Sequence, residues 1–340
     1  MTQPTGADAR ATLLAAWIAS SLSTDAFAMA PASADASFRR YFRITPEKSA
    51  FGERTLIAMD APPPNEDCRP FVHVANLLRE AGLNAPRILA QDLERGFLLV
   101  SDLGSTTYLS ALDASNAKAL FDAATDAIVQ WQRATRAGAL PPYDRALLRR
   151  ELELFPDWYI AVHLRTTLDA AERESLTRVF ETLIADHLAQ PQVFVHRDYM
   201  PRNLMVSTPN PGILDFQDAV IGPICYDVVS LFKDAFISWP EEAVLDWTIR
   251  YWEKARRAGL PVDPDFAAFF RGFEWMGLQR HLKVLGIFSR IAHRDRKPGY
   301  VEDTPRFVGY ARPVAQRYRE LAPLARLLDR LERATPPSSQ

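Results

Sequence analysis

Cysteine is scarce in this sequence, since Cys68 and Cys225 are the only two in 340 residues. Two cysteines are too few for a disulfide framework, and neither stands in a C-x-x-C pair of the kind that binds zinc. Long apolar runs are also lacking, as is a basic segment leading into one, so the sequence predicts no membrane span. We expect a cytoplasmic protein.

An excess of positive charge is absent as well, because the formal net charge is −2. This balance argues against a general nucleic-acid-binding protein. The composition is otherwise that of an ordinary globular protein, and 340 residues can bury a large core. We expect the chain to fold as two lobes, and nothing in the sequence predicts its oligomeric state.

The first hundred residues alternate between strand-like and helical spacing. They predict helices over 8–22 and 68–81, the second ended by Gly82, and strands over 38–44, 54–59, 87–91 and 97–101. The small and polar run at 33–37 predicts a turn. We therefore expect residues 1–102 to form an N-terminal lobe built on a small sheet.

Helical spacing dominates the rest of the chain. Helices are predicted over 114–136, 145–165, 170–189, 226–237, 241–258, 264–290 and 304–333, with short strands at 193–195, 204–206 and 212–214. We expect residues 103–334 to form a helical lobe and residues 335–340 to be a disordered tail. A sheet-containing lobe followed by a helical lobe predicts an α+β fold.

The most specific motif reads H-R-D-Y-M-P-R-N over residues 196–203 and is followed by D-F-Q-D over 215–218. Transfer of a phosphoryl group from a nucleotide to a hydroxyl needs a carboxylate that orients the hydroxyl. It also needs an amide oxygen and a second carboxylate that hold Mg²⁺ on the phosphates. We therefore predict Asp198 as the catalytic base or orienting group, Asn203 and Asp215 as Mg²⁺ ligands, and ATP as the donor.

Each of these three residues also has a structural interpretation. Asp198 can cap a turn, Asn203 can occupy a left-handed turn position, and Asp215 can be a surface carboxylate. Taken alone, the structural interpretation is the better one for Asp198 and Asn203, and the two are equal for Asp215. The three residues in this order and spacing are far more specific than any one of them, and together they favour a phosphotransferase.

Supporting roles are predicted for three neighbours of the motif. His196 is expected to pack and to hydrogen-bond its own loop, with general-base catalysis as the alternative. Asp218 can contact the metal or cap a turn. Asp227 can begin the next helix as an N-cap-like residue or bind the backbone of the catalytic loop.

These motifs resemble the aminoglycoside phosphotransferase family of small-molecule kinases, which are relatives of choline kinase and the protein kinases. The family pattern is an H-x-D-x-x-x-x-N loop, an I-D-F-x-D segment and a Y-D pair that opens a helix. The chain has these at 196–203, 214–218 and 226–227, with Leu214 where the family more often has Ile. The resemblance implies a protein-kinase-like fold with an N-terminal nucleotide-binding lobe and a helical catalytic and substrate-binding lobe.

Further segments, at 35–43, 198–205, 226–235 and 277–283, resemble the anomeric sugar kinases of peptidoglycan recycling within that family. Those enzymes phosphorylate the C1 hydroxyl of N-acetylmuramate and N-acetylglucosamine. The resemblance implies the same activity here, on a small amino-sugar acceptor.

The N-terminal lobe departs from the wider kinase pattern. It has no glycine between Gly6 and Gly52, and the strand at 56–60 carries no phosphate-binding lysine. The small residues of 33–37, including Ser37, can let backbone amides approach phosphates. Arg39, Arg40 or Arg43 can replace the lysine, because a guanidinium pairs with phosphate oxygens in a fork.

The segment 97–103 resembles the link between the lobes of such kinases, where the backbone of Ser101 and Leu103 would contact adenine. A buried strand and turn is the equal alternative for this segment.

For the acceptor, three tryptophans of the helical lobe can stack on a sugar ring: Trp158, Trp239 and Trp275. Core packing is the favoured alternative for each. Arg280 and Lys283 share one face of a predicted helix and can receive a carboxylate, and a solvated basic face is the favoured alternative.

Two rival functions remain open. One is a kinase of another small alcohol, such as an aminoglycoside, choline or a different sugar. A cationic acceptor would use carboxylates of the helical lobe, and the sequence offers Glu151, Glu153, Asp157, Glu241 and Glu242. The other is a nucleotide-sensing pseudokinase, which the missing lysine suggests and the intact motif at 196–215 opposes.

Overall fold

A computed structural model describes residues 9–34, 38–48 and 51–334. The chain divides into two compact units, which we describe separately. The first comprises Met1–Ala111 and Asn203–Asp218, and the second comprises Leu112–Arg202 and Ala219–Gln340. The segment 203–218 therefore belongs to the sheet-containing unit, whereas the sequence-based division at residues 102 and 103 assigns it to the helical lobe. That division stays a prediction about domains, and the predicted tail lies outside the described residues.

The first unit is built on a five-stranded antiparallel sheet of order β1-β2-β3-β5-β4. Its elements are α1 (Ala9–Leu22), β1 (Phe27–Ala34), β2 (Arg40–Pro46), β3 (Leu56–Asp60), α2 (Arg69–Glu80), β4 (Ile88–Asp92), β5 (Phe97–Ser101) and α3 (Tyr108–Ala111). Leu14, Ile18 and Leu22 recur every fourth residue of α1 and are buried against β2, β3 and β5. The predicted helices over 8–22 and 68–81 are confirmed.

Strand β1 was not predicted from the sequence. It contains Pro31, which cannot donate to a ladder, and it is rich in small residues that carry little strand signal. The structure places β1 at the edge of the sheet and bulges it between Pro31 and Ser33. The turn predicted over 33–37 is wrong for Ser33 and Ala34, which continue β1, and residues 35–37 lie outside the described residues.

The second unit is mainly helical. It contains α4 (Ala117–Arg133), α5 (Arg145–Leu154), a π-helix (Phe155–His163), α6 (Ala170–Ala189), α7 (Tyr226–Phe232), α8 (Glu241–Arg257), α9 (Phe266–Arg294), α10 (Thr304–Arg317) and α11 (Ala322–Ala334). Of the helices that the structure describes, none combines the length and apolar character that a bilayer crossing requires.

Prolines explain two places where one helix was predicted and two segments form. At Pro156 the missing N–H removes an intrahelical bond, and α5 continues as the π-helix Phe155–His163. Pro323 cannot continue a helix from the preceding turn, and Tyr318 adopts an extended conformation between α10 and α11.

The long helix α9 is the centre of the helical unit, and its side chains are buried on every face over much of its length. Gly286 allows a close approach to the end of α5, because a Cβ there would lie 2.4 Å from the backbone carbonyl atoms of Leu154. The position of α9 is therefore fixed by backbone contact as well as by side-chain packing.

Four short strands flank the polar residues of the motif. In the helical unit β6 (Gln192–Val195) pairs with β9 (Val220–Pro223). In the first unit β7 (Leu204–Met205) pairs with β8 (Gly212–Ile213). All except β9 were predicted, each to within two residues. The main-chain N–H of Ile213 donates to Asn84 (2.8 Å) and that of Val206 donates to Thr106 (2.9 Å), which attaches this hairpin to the rest of its unit.

Candidate active site

The segment that carries Asp198 follows the buried strand β6 directly and is held by Asp227. The Asp227 carboxylate accepts hydrogen bonds from the backbone N–H of His196 (2.7 Å) and of Arg197 (3.1 Å). Burial raises the pKa of Asp227 to about 7, against the lowering effect of these two bonds. Asp227 lies in the first turn of α7 rather than at its N-cap, which is Cys225. It therefore fixes the backbone of the two residues that precede Asp198.

His196 contributes to the same loop from inside the protein. Its Nδ1 accepts a hydrogen bond from the Asp198 N–H at 3.2 Å, and its ring packs edge-on against Tyr199. The Tyr199 hydroxyl in turn donates to the backbone carbonyl of Ala124 in α4 (3.0 Å). These contacts tie the backbone of Asp198 to the core of the helical unit.

Arg197 is held through its side chain by a buried carboxylate, Glu151 of α5. The Arg197 Nη2 donates to Glu151 Oε1 at 2.7 Å, and the Lys283 Nζ lies 3.0 Å from the same oxygen. Gln279 donates to Glu151 Oε2 at 3.2 Å, and the Tyr143 hydroxyl also donates to that oxygen. Four donors from three parts of the chain thus converge on one carboxylate, since Gln279 and Lys283 both belong to α9.

In this cluster one carboxylate lies against two cations. Burial alone would raise the pKa of Glu151, but Lys283 and Arg197 outweigh it and hold that pKa at about 2. Burial lowers the pKa of Lys283, but Glu151 and Tyr226 together outweigh it, so that this pKa is raised. Glu151 is therefore an ionised group that anchors two buried cations.

Asn203 and Asp215 are brought together in the first unit by the β7–β8 hairpin. The Asn203 Nδ2 donates to Asp215 Oδ2 at 3.1 Å, and the Leu214 N–H donates to the Asn203 carbonyl at 3.0 Å. Gln217 donates to Asp215 Oδ1 at 2.9 Å. Asp215 has a φ of 61°, a left-handed conformation that is uncommon for a residue with a Cβ. Two predicted metal ligands are thus direct neighbours.

Carboxylate and amide oxygens are the ligands that Mg²⁺ takes from proteins, and one or two of them suffice when phosphates complete its coordination. Asn203 and Asp215 fit that description by their chemistry and adjacency. Within the described residues no group of three or more His, Cys, Asp or Glu is arranged to hold a metal. Asp218 is exposed and contributes to the electrostatic environment of Arg39 in the same unit. Its predicted role at a metal stays a prediction.

The three arginines predicted to replace the missing lysine are all ion-paired within the first unit. Their partners are Glu66 for Arg39 (2.9 Å), Asp60 for Arg40 (2.5 Å) and Asp102 for Arg43 (2.7 Å). The carboxylate of Asp60 is fully buried and also binds Arg10 at 2.6 Å. Which of the arginines contacts a phosphate stays a prediction.

The remaining nucleotide-binding candidates have mixed outcomes. Ser37 lies outside the described residues. Ser101 ends the central strand β5, and its N–H donates to the Arg87 carbonyl at 3.0 Å, so this N–H is already engaged. Leu103 follows two residues later, and its side chain packs near Gly212. Their proposed contacts with adenine stay predictions.

The tryptophans predicted to stack on a sugar differ in burial. Trp275 is 2% exposed, packs edge-on against Tyr318, and has the Arg271 guanidinium 4.0 Å from its ring centroid. These are the contacts of a packed core side chain. Trp239 is half-buried within a cluster of aromatic rings, and Trp158 is half-buried in the π-helix.

The solvated basic face proposed as the alternative for Arg280 and Lys283 is wrong. Arg280 is 3% exposed, and the Lys283 side chain is 12% exposed. The reason is that α9 is enclosed by its neighbours, so helical spacing of charges does not indicate solvent there. Glu151, considered only as a binder of cationic acceptors, is instead the partner of Lys283 and Arg197.

The chain is similar to proteins that transfer phosphoryl groups. Residues 28–262 match the phosphotransferase enzyme family, and this span includes Asp198, Asn203 and Asp215. The chain belongs to this family. The phosphotransferase is 58% identical to the N-acetylmuramate/N-acetylglucosamine kinase of Pseudomonas aeruginosa, over 88% of its own chain and 87% of the relative. It is 49% identical to the kinase of the same name from Neisseria meningitidis, over 87% and 88% of the two chains.

Solved structures of lower identity share the fold. A choline kinase from Cryptosporidium parvum has a TM-score of 0.63 at 10% identity, over 94% of this chain and 99% of that one. An ADP-bound aminoglycoside phosphotransferase has a TM-score of 0.55 at 12% identity, over 87% and 96% of the two chains. The predicted protein-kinase-like α+β fold is confirmed.

Proposed function

We propose that this phosphotransferase is an ATP- and Mg²⁺-dependent kinase of the C1 hydroxyl of N-acetylmuramate and N-acetylglucosamine, acting in cell-wall recycling. The observation that carries the proposal is the 58% identity, over 88% of the chain, to a kinase named for these two sugars. The motif at 196–215 supports the same chemistry, since it supplies a carboxylate to orient the acceptor hydroxyl and an amide oxygen and a second carboxylate suited to Mg²⁺.

In this proposal Asp198 orients the anomeric hydroxyl and accepts its proton as the oxygen bonds to the terminal phosphorus of ATP, while the bond from that phosphorus to the bridging oxygen breaks and ADP leaves. Asn203 and Asp215 would hold Mg²⁺, which offsets the negative charge of the phosphates when bound. The bonds from Asp227 and His196 to the backbone around Asp198 support its role, because a base must be held within hydrogen-bond reach of the proton that it removes.

A kinase of a cationic alcohol is the nearest rival, and the charge pairs of the helical unit speak against it. Three of the carboxylates that such an acceptor would use are already paired with cations: Glu151 with Arg197 and Lys283, Glu153 with Arg149, and Glu241 with Arg317. The pseudokinase alternative is opposed by the intact Asp198, Asn203 and Asp215.

A substrate screen with the purified protein and radiolabelled ATP tests the proposal. N-acetylmuramate and N-acetylglucosamine should both be phosphorylated, and phosphorus NMR should place the phosphate on C1. Turnover of choline or an aminoglycoside without turnover of either N-acetylated sugar would reject it.

The role of Asp198 is tested with Asp198→Ala, which should abolish turnover and largely spare ATP binding measured by calorimetry. The matched control is Asp246→Ala, which removes an exposed carboxylate paired only with Arg250 on the same helix. If Asp198→Ala turned over as fast as the parent, the assigned role would be incorrect.

A further inference from the structure

Asp234 is a buried carboxylate with one oxygen left over. The predicted helix 226–237 ends early, at Phe232, because Asp234 Oδ1 accepts hydrogen bonds from the N–H groups of Phe236 (2.8 Å) and Ile237 (3.1 Å) and closes a turn. Asp234 is 0% exposed, and within the described chain its Oδ2 has no hydrogen-bond partner. A buried carboxylate oxygen without a partner is costly and calls for an explanation.

Arg280 of α9 is a buried cation with a donor atom that no described residue pairs. Its side chain is 3% exposed, and no described residue supplies a hydrogen-bond acceptor to its Nη1 or a carboxylate within ion-pair distance. A buried guanidinium is normally matched by a hydrogen-bonded anion. Its positive charge acts to lower the pKa of Asp234, which burial raises. A Cβ on Gly277, one turn before Arg280 in α9, would lie 4.0 Å from Cδ of Lys233, the residue before Asp234. The two groups therefore belong to segments in contact, but they are not bonded to each other.

This pair lies beside the catalytic loop of the same unit. Asp227 holds that loop, and its pKa is lowered by the charge of Arg280 and raised by the charge of Asp198. On the other side, the guanidinium of Arg202 lies 5.0 Å from the ring centroid of Phe236, in the turn that Asp234 closes. Because Arg202 belongs to the loop that carries Asp198, and Phe236 to the turn that Asp234 closes, a molecule bound at Asp234 and Arg280 would lie where these two segments pack together.

The pair is also near the surface. The charge of Asp234 raises the pKa of Tyr310 and that of Arg280 lowers it. The Tyr310 hydroxyl donates to Ser238 at 2.7 Å. The Tyr310 ring stacks on His281, the residue after Arg280, at 4.9 Å between ring centroids. Tyr310 is half-buried and Ser238 is exposed, so this part of the unit extends to the surface.

We propose that Asp234 and Arg280 form the subsite that recognises the acetamido group of the acceptor sugar, an inference that rests on the proposed function. A secondary amide offers one N–H donor and one carbonyl acceptor. Asp234 Oδ2 accepts from the N–H, and Arg280 Nη1 donates to the carbonyl oxygen, so both leftover atoms are satisfied without a net charge on the ligand. The group is common to N-acetylmuramate and N-acetylglucosamine, the sugars named for the relatives.

The subsite also accounts for discrimination. A site built to hydrogen-bond a particular group rejects analogues that lack it, because its buried polar atoms are then left unpaired. Glucose has a hydroxyl in place of the acetamido group, and glucosamine has an ammonium that Arg280 would repel. Both should bind more weakly than N-acetylglucosamine.

The test uses Asp234→Asn and Arg280→Lys in the full chain, with steady-state kinetics on N-acetylglucosamine. Loss of one charge-assisted hydrogen bond should raise KM about 10- to 100-fold with a smaller change in kcat. The inhibition constant of glucose, measured in competition, should stay within about two-fold of the parent, because glucose lacks the recognised group. Arg271→Lys, near the start of α9 where the side chain is half-exposed and pairs with Glu320, is the control and should leave KM unchanged.

ATP affinity measured by calorimetry establishes that each variant is folded, and Arg280→Lys decides the matter if Asp234→Asn does not fold. A KM within two-fold of the parent in a folded variant would overturn the subsite. Equal weakening of glucose and N-acetylglucosamine would do the same. A parent protein that does not phosphorylate N-acetylglucosamine would instead refute the proposed function.

Discussion

Replacement of Glu151 by glutamine is the most informative single perturbation of the helical unit. The change keeps the size of the side chain and removes the charge that Arg197 and Lys283 share. It leaves two buried cations next to each other with no anion between them. Removal of one partner from a buried ion pair costs about 3–5 kcal/mol, and we expect a loss of stability in that range.

The pKa of Glu151 gives a second route to the magnitude. Its pKa is about 2 in the folded protein against an ordinary value of 4.5. A depression of about 2.5 in pKa, at 1.36 kcal/mol for each pH unit, corresponds to about 3 kcal/mol. Because the folded pKa is lowered, this contribution is fully present above pH 4.5 and is lost as the pH falls towards 2. The difference between parent and variant should therefore shrink over that interval.

Urea denaturation followed by circular dichroism measures the free energy of unfolding, at pH 7 and in steps below pH 4.5. The control is Glu153→Gln on the same helix, whose carboxylate is half-exposed and pairs only with Arg149. This control should cost no more than about 0.5 kcal/mol. A loss below 1 kcal/mol in Glu151→Gln at pH 7, or a difference that does not change with pH, would refute the reasoning.

Two further predictions concern backbone positions. In Gly286→Ala the new Cβ would lie 2.4 Å from the Leu154 carbonyl, so the free energy of unfolding should fall by about 1–3 kcal/mol. In Gly309→Ala, within α10, the new Cβ would have no atom within 4 Å, and the free energy of unfolding should rise by about 0.5–1 kcal/mol. Thermal denaturation of both variants checks this, and equal effects would contradict it. In Asp227→Asn, the side-chain NH₂ would face one of the two backbone N–H groups, of His196 and Arg197, from which the carboxylate now accepts hydrogen bonds. Its kcat should fall at least about ten-fold with ATP affinity preserved, and an unchanged kcat would count against the positioning role.

Much of the fold could be predicted from hydrophobic spacing, because most elements have one buried face. The helix α2 illustrates this, since its apolar residues repeat with the period of a helix, whereas strand β5 was predicted from a short continuous apolar run and is buried at every position. Edge strand β1 could not be predicted in this way. Its Pro31 and its small side chains carry a turn signal, and only pairing with β2 makes it a strand.

The candidate site was predictable where it is local in sequence. Asp198, Asn203 and Asp215 fall within eighteen consecutive residues and have a recognisable order. Glu151 was not assigned its place, because its partners Arg197 and Lys283 are distant in sequence. The charges on α9 gave a misleading signal, since a helix enclosed on every side shows no polar face from which exposure can be inferred.

Backbone strain marks the two places where the motif leaves its buried strands. Arg197 follows β6 closely with a φ of 75°, and Asp215 follows β8 closely with a φ of 61°. Each left-handed residue with a Cβ costs about 1–3 kcal/mol, so each conformation persists only where other contacts hold it. For Arg197 these are the backbone bond to Asp227 and the side-chain bond to Glu151.

For Asp215 the corresponding contacts come from Asn203 and Gln217. In both cases the strained residue is adjacent to, or is itself, a predicted site residue, and its stabilising partners are polar side chains rather than apolar packing. A hydrophobic replacement for Glu151 could restore packing density but not the bond that holds Arg197.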